Sequence, residues 1–94
     1  MVVTVKFIGA LRSDSGKSKI TMKMKDSVSI QKLIKEIGQK HPKLENVIID
    51  TELEDSSPKT LILVNGKEIS ILNGLETMLE DGDDVVFIPV LHGG

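Results

Sequence analysis

Residues 26–42 read DSVSIQKLIKEIGQKHP, and the fold turns on what this stretch becomes. Ile30, Leu33, Ile34 and Ile37 fall at i, i+3, i+4 and i+7, which puts all four on one stripe of a helix. Ser27 or Ser29 can cap its start by accepting a hydrogen bond from an orphan backbone N–H. Gly38 weakens the last turns. Pro42 lacks the N–H that continuation requires and restricts the residue before it, so the helix is expected to end near Lys40 or His41.

On either side of this helix the hydrophobic period is that of strands. Before it, KITMKMK (19–25) alternates strictly, with Ile20, Met22 and Met24 on one side and Lys19, Thr21, Lys23 and Lys25 on the other. That is a half-buried strand with a solvated lysine face. Further back, VVTVKFI (2–8) is rich in β-branched residues, and Gly9 opens a polar loop through residues 12–18, so the two segments read as an opening hairpin. After the helix, residues 43–59 are the least regular. Val47, Ile48 and Ile49 can anchor them to the core, while Glu52, Glu54 and Asp55 make an acidic loop. TLILVNGKEISI (60–71) then sets Asn65-Gly66 between two apolar runs. This is a hairpin signal, because both central residues of a type I′ turn need positive φ. GLETMLE (74–80) is expected as a short helical turn with Leu75, Met78 and Leu79 inward. Asp81-Gly82 makes another turn, and DVVFIPVL (84–91) is the final strand.

The order is strand, strand, helix, strand, strand, short turn, strand. The first and last strands are apolar on both faces, as central strands are. If they pair in parallel with the helix across one face, the architecture is an α+β β-grasp: a mixed sheet of four to five strands, one main helix and a flexible C-terminal tail. Ninety-four residues hold one core, so residues 1–91 are expected to form a single domain and 92–94 the tail.

Composition narrows the function. The two aromatics, Phe7 and Phe87, leave an aliphatic core and no ring platform for stacking nucleic-acid bases. Twelve basic against 14 acidic residues give a net charge of −2, so no bulk field draws nucleic acid or membrane. The lysine row at 19–25 reads as a solvated edge rather than an RNA surface, since neither aromatics nor arginine accompany it. There is no cysteine, which excludes disulfides, thiolate metal sites and a cysteine nucleophile. The opening MVVTVKFIG lacks a signal peptide's basic start and is too short for a membrane span, so a cytoplasmic location is expected. His41 reads as a helix C-terminal residue favoured by the dipole. His92 has no second histidine or cysteine near it to make a metal site and nothing to orient it as a base.

Three features together resemble the ubiquitin-like sulfur carrier and modifier proteins, a family that includes the ubiquitin-related modifier, molybdopterin-synthase small subunits and the archaeal small modifier proteins. They are the β-grasp order, the stretch LNGLETMLEDGDDVVFIPV (72–90) with its Leu79-Glu80-Asp81-Gly82-Asp83-Asp84-Val85 turn, and the terminal Gly93-Gly94. With Gly at about 7% of residues, two final glycines alone arise by chance in roughly one chain in two hundred, so their weight comes from the company they keep. Pro89 before the glycines is similar to synthase small subunits, and Leu91-His92-Gly93-Gly94 is similar to the ubiquitin-related modifier. Residues 43–59 carry none of the resemblance.

The resemblance implies a carrier with no active site and no permanently bound cofactor. Gly94 would be the attachment point. An ATP-dependent activating enzyme would adenylate its carboxylate, and a sulfur donor protein would convert the acyl-adenylate to a thiocarboxylate for a tRNA thiolation enzyme. Alternatively a thiol would pass the acyl group to lysines of target proteins, making an isopeptide bond. Leu91, His92 and Gly93 would be read by the activating enzyme, and glycines without Cβ suit a tail that threads between backbones. Two other readings stand beside this one: a small subunit of molybdopterin synthase that inserts its tail into the large subunit, and a β-grasp interaction module with an inert tail. A docking surface is expected on the sheet face away from the helix. With Val85 and Phe87 facing the helix, Val86, Ile88 and Val90 would face outward, joined by Ile62 from the neighbouring strand, an apolar set suited to a partner.

Overall fold

The computed structural model describes residues 1–9, 18–42 and 60–89. Their elements run β1 (Val2–Phe7), β2 (Lys19–Lys23), α1 (Ile30–Lys40), β3 (Thr60–Val64), β4 (Lys67–Glu68) and β5 (Asp84–Pro89), with 3-10 turns at Ile69–Ile71 and Gly74–Glu76. The sheet has five strands in the order β2-β1-β5-β3-β4. β1 and β5 pair in parallel with Val5 opposite Val85 and Phe7 opposite Phe87, and the other neighbours are antiparallel. This is the β-grasp arrangement expected from the sequence, with the first and last strands at the centre.

The helix occupies the span its periodicity predicted. Ser29 caps it, its Oγ accepting from the Lys32 N–H at 3.2 Å, and the His41 N–H closes the last turn on the Ile37 carbonyl at 2.8 Å. Ser27 does other work: its hydroxyl donates to the Leu79 carbonyl. Ile30, Leu33, Ile34 and Ile37 are buried against the sheet. On the sheet side they meet Val3, Val5, Ile62, Val85 and the two phenylalanines. The Phe7 and Phe87 rings stack at 5.8 Å across the parallel pair, with 16° between their planes. Fully burying each such side chain is worth about 1.5–3 kcal/mol, so this contact layer is what holds helix to sheet.

Four hydrogen bonds set how β5 enters the sheet. Asn65 and Gly66 have φ of 51° and 83°, the positive values that a type I′ turn needs. The Asn65 side chain then bridges to the start of β5: its Nδ2 donates to Asp83 Oδ1 at 2.9 Å, and its Oδ1 accepts from the Asp84 N–H at 2.9 Å. Val2 N–H donates to Asp81 Oδ1 at 2.7 Å, while Gly82 N–H returns to the Val2 carbonyl at 2.8 Å. The Asp81-Gly82-Asp83-Asp84 run is therefore a structural clasp that aligns the start of β5 with the start of β1.

Two expectations change. Residues 74–80 are not one helical turn. The 3-10 turn stops at Glu76, and Thr77–Leu79 run extended beside the helix entry, where Ile30 N–H donates to the Thr77 carbonyl and Leu79 N–H to the Val28 carbonyl. Alternation then buries Thr77 and Leu79 and turns Met78 out, 54% exposed. The second arm of the Asn65-Gly66 hairpin is also only two residues long. The chain bends at Glu68, whose carboxylate accepts from the Ser70 N–H at 2.9 Å, and this starts the 3-10 turn that buries Ile69.

Candidate functional site

Leu91, His92, Gly93 and Gly94 lie outside the described residues, as does Val90 of the expected docking surface. What the structure describes is the root of that tail and the sheet face beside it. Because β5 runs parallel to β1, the two strands finish at the same end of the sheet. The Ile8 N–H donates to the Phe87 carbonyl at 3.1 Å, and one residue later Gly9 turns the chain away with φ of +63°. Pro89 packs there. A Cβ built on Gly9 would lie 3.6 Å from the Pro89 Cγ.

A proline in a central strand normally forfeits a ladder bond. Here the pairing removes that cost on the β3 side. Asn65 N–H donates to the Asp84 carbonyl, which makes Asn65 and Asp84 a hydrogen-bonded pair, and alternation along the antiparallel ladder puts Thr60 and Pro89 at a non-hydrogen-bonded one. The nitrogen of Pro89 faces the β1 side, where the parallel ladder would next call for an N–H to the Ile8 carbonyl, so Pro89 ends the β1–β5 pairing after the Ile8–Phe87 bond.

The sheet face away from α1 is apolar over three strands. Val86 and Ile88 point outward, as expected from the sequence. Ile62 does not. It pairs with Phe87 and is 1% exposed in the core, so it belongs to the packing against α1. Its neighbours take its place: Leu61 stands opposite Ile88 and Leu63 opposite Val86. Leu61 is 36% exposed, and Ile8, 45% exposed, extends the patch along β1. The error was one of parity. Residues 61–64 are apolar at every position, and the strand across the turn begins with Lys67 and Glu68, charged at both parities, so alternation alone offered no way to choose.

Charge borders the patch. Lys6 adjoins Val86 on β1 and its Nζ lies 3.3 Å from Asp84 Oδ2, an exposed ion pair that contributes little to stability. Glu68 adjoins Leu63 on the far side. An apolar centre of Ile8, Leu61, Leu63, Val86 and Ile88 with a charged rim has the layout of a protein-docking surface. Among the described residues there is no group of three or more metal-ligating side chains, and no helix is long and apolar enough to cross a membrane.

Comparison with known proteins agrees with this geometry. Residues 2–94 match the family model described as Urm1 (Ubiquitin related modifier). Ubiquitin-related modifier 1 of Saccharomyces cerevisiae is 33% identical over 96 aligned positions, covering 98% of this chain and 97% of that protein. Small archaeal modifier protein 3 of Haloferax volcanii is 26% identical over the whole of both chains. The solution structure of small archaeal modifier protein 1 from Methanosarcina acetivorans superposes with a TM-score of 0.82 at 30% identity, covering 99% of this chain and 96% of that one.

Proposed function

This chain belongs to the ubiquitin-related modifier family, whose members are small ubiquitin-like carriers that act with activating enzymes and are not themselves catalysts, and from that premise we propose that it carries sulfur as a thiocarboxylate on Gly94. The observation that supports this most directly is the placement of β5. The central strand delivers the chain at Pro89 to that end of the sheet, with five residues left to Gly94 and the apolar outer face alongside. Five residues reach at most about 17 Å, so an enzyme that acts on Gly94 must sit close to that face.

The chemistry follows from the terminal carboxylate. It attacks the α-phosphate of ATP on the activating enzyme, releasing pyrophosphate. A sulfur donor then displaces AMP from the acyl-adenylate. Splitting acyl transfer in this way replaces one difficult step by two easier ones, with the nucleophiles supplied by other proteins. Thiolation of tRNA in the cytoplasm is the proposed destination of the sulfur. Transfer of the same acyl group to lysines of target proteins is the second use of one activated intermediate.

Mass spectrometry of the protein re-isolated from its own cells tests the proposal. Sulfur in place of oxygen at Gly94 is the expected result, and branched peptides carrying Gly94 on lysine would add conjugation. Only an ordinary carboxylate with no branches, in cells supplied with sulfur, would overturn it. A stable complex with a large subunit burying roughly 1,600 Å² or more would instead identify a synthase subunit.

A further inference from the structure

The edge of the sheet opposite β4 is formed by β2. Among the described residues β2 hydrogen-bonds to β1 alone. The pairing fixes which way its backbone points. Met24 N–H donates to the Met1 carbonyl and Phe7 N–H to the Ser18 carbonyl, so Ser18, Ile20, Met22 and Met24 turn their backbone groups to β1. Lys19, Thr21 and Lys23 therefore turn theirs outward, three residues with no strand partner on that side among the described residues. Beside this edge, on the helix side, is a cleft of ≈ 300 Å³ lined by Lys19, Ile20, Thr21, Met22, Lys40 and His41. Ile20 and Met22 turn their side chains inward beneath it, its far wall is the end of α1, and none of its six lining residues is acidic.

We propose that this edge binds an extended peptide segment of another protein, in which hydrophobic residues alternate with acidic ones. Edge pairing with Lys19, Thr21 and Lys23 supplies the main-chain hydrogen bonds. Alternation along the incoming strand then sorts its side chains. Those on the helix side drop into the cleft over Ile20 and Met22. Those on the other side stand beside the exposed side chains of Lys19 and Lys23, and carboxylates match them. Lys40 closes the helix-side rim with a further basic group, which also offsets the partial negative charge of the α1 carbonyl end. Lysines on an edge strand discourage pairing between copies of a protein as well, and a peptide of either charge separates that role from recognition.

The test is a titration of the full 15N-labelled chain with the capped peptide Glu-Val-Glu-Ile-Glu-Val-Glu, followed by amide NMR and hydrogen exchange. Shifts confined to residues 18–24 and 40–42, with slowed exchange at the outward Thr21 N–H, are the expected result. The capped peptide Lys-Val-Lys-Ile-Lys-Val-Lys should produce no comparable shifts. Thr21→Pro removes the outward donor while leaving the β1 ladder intact, and should weaken binding about fivefold to tenfold, one hydrogen bond's worth. The double change Lys19→Glu, Lys23→Glu should weaken it about tenfold or more without touching the ladder, and stands in if the proline variant fails to fold. Equal response to both peptides, shifts centred on Leu61 and Ile88, or no response at all would each overturn the proposal.

Discussion

Leu61 and Ile62 are adjacent, both aliphatic and on the same strand, yet the structure puts them on opposite faces of the sheet, and changing each in turn separates fold from the proposed docking. Ile62 is 1% exposed between Phe87 and α1. Truncating Ile62→Ala removes buried methyl groups and leaves a cavity, at a cost of about 2–5 kcal/mol. A domain of this length has roughly 5–14 kcal/mol in total, so the loss is a large fraction of its stability. At about 4–8 °C per kcal/mol, a 3 kcal/mol loss lowers Tm by about 12–24 °C. Leu61, 36% exposed on the outer face, should lose no more than about 1 kcal/mol as Leu61→Ala. The chain has no Trp or Tyr, so far-UV circular dichroism in urea is the assay. In pyrophosphate exchange with the activating enzyme the order reverses. Leu61→Asp puts a charge where the partner covers apolar surface and should cut kcat/KM about tenfold, equivalent to 1.4 kcal/mol, while the free protein stays folded. If Leu61→Ala destabilised as much as Ile62→Ala, the strand parity would be wrong. If Leu61→Asp left activation unchanged, the outer face would not be the docking surface.

Two further substitutions probe the root of the tail and the clasp at the start of β5. Gly9→Ala forces a Cβ onto a backbone at φ +63° and should cost about 1–2 kcal/mol in urea titration. The new Cβ would make only ordinary contact with Pro89, so Gly9→Asn, a residue that tolerates this conformation, should recover most of the loss; equal losses for the two would locate the problem in packing instead. Asn65→Gly keeps the turn geometry but deletes two hydrogen bonds to residues 83 and 84, for about 1–2 kcal/mol. Asn65→Ala loses those bonds and also strains a φ of 51°, so it should be worse by about 1 kcal/mol, and identical midpoints for the two variants would refute the strain argument.

How far the sequence could be read depended on whether each segment carried one signal or two. The helix carried three that agreed: a 3.6-residue period, Ser29 as cap and Pro42 as stop. Its ends followed. Asn65-Gly66 was as clear, because only a turn with two positive φ values asks for that pair. That β1 and β5 are apolar on both faces pointed to central strands, and the parallel contact on which the β-grasp reading depended is the one the structure has. Where signals conflicted, position was lost. Residues 61–64 are uniformly apolar, so only the tertiary register, Thr60 to Pro89 through Val64 to Val85, decides that Ile62 goes in and Leu61 and Leu63 come out. Leu75, Met78 and Leu79 mimic a helical stripe, but hydrogen bonds from the α1 entry hold Thr77–Leu79 extended and eject Met78. The glycine at position 9 read only as a loop opener. Its close approach to Pro89 joins residues 80 positions apart, and no local pattern announces that.

The two surfaces differ in what they leave free. A partner that acts on Gly94 must approach the outer face near the end of β5, because that is where the chain exits the sheet. Ile8, Leu61 and Ile88 form one continuous row across β1, β5 and β3 at that end. Any two enzymes that each need Gly94 and that row must therefore bind in turn, which suits a carrier that is loaded by one protein and unloaded by another. The β2 cleft is different. It lies two strand spacings, about 10 Å, to the side of β5 and opens on the helix face. A peptide seated there would add a strand to the sheet without covering Leu61 or Ile88. If both proposals hold, successive enzymes would act at the end of β5 while a peptide occupied the β2 edge, and neither would displace the other. That division follows from strand order: the tail grows from the central strand β5, and the open cleft borders the outermost strand β2.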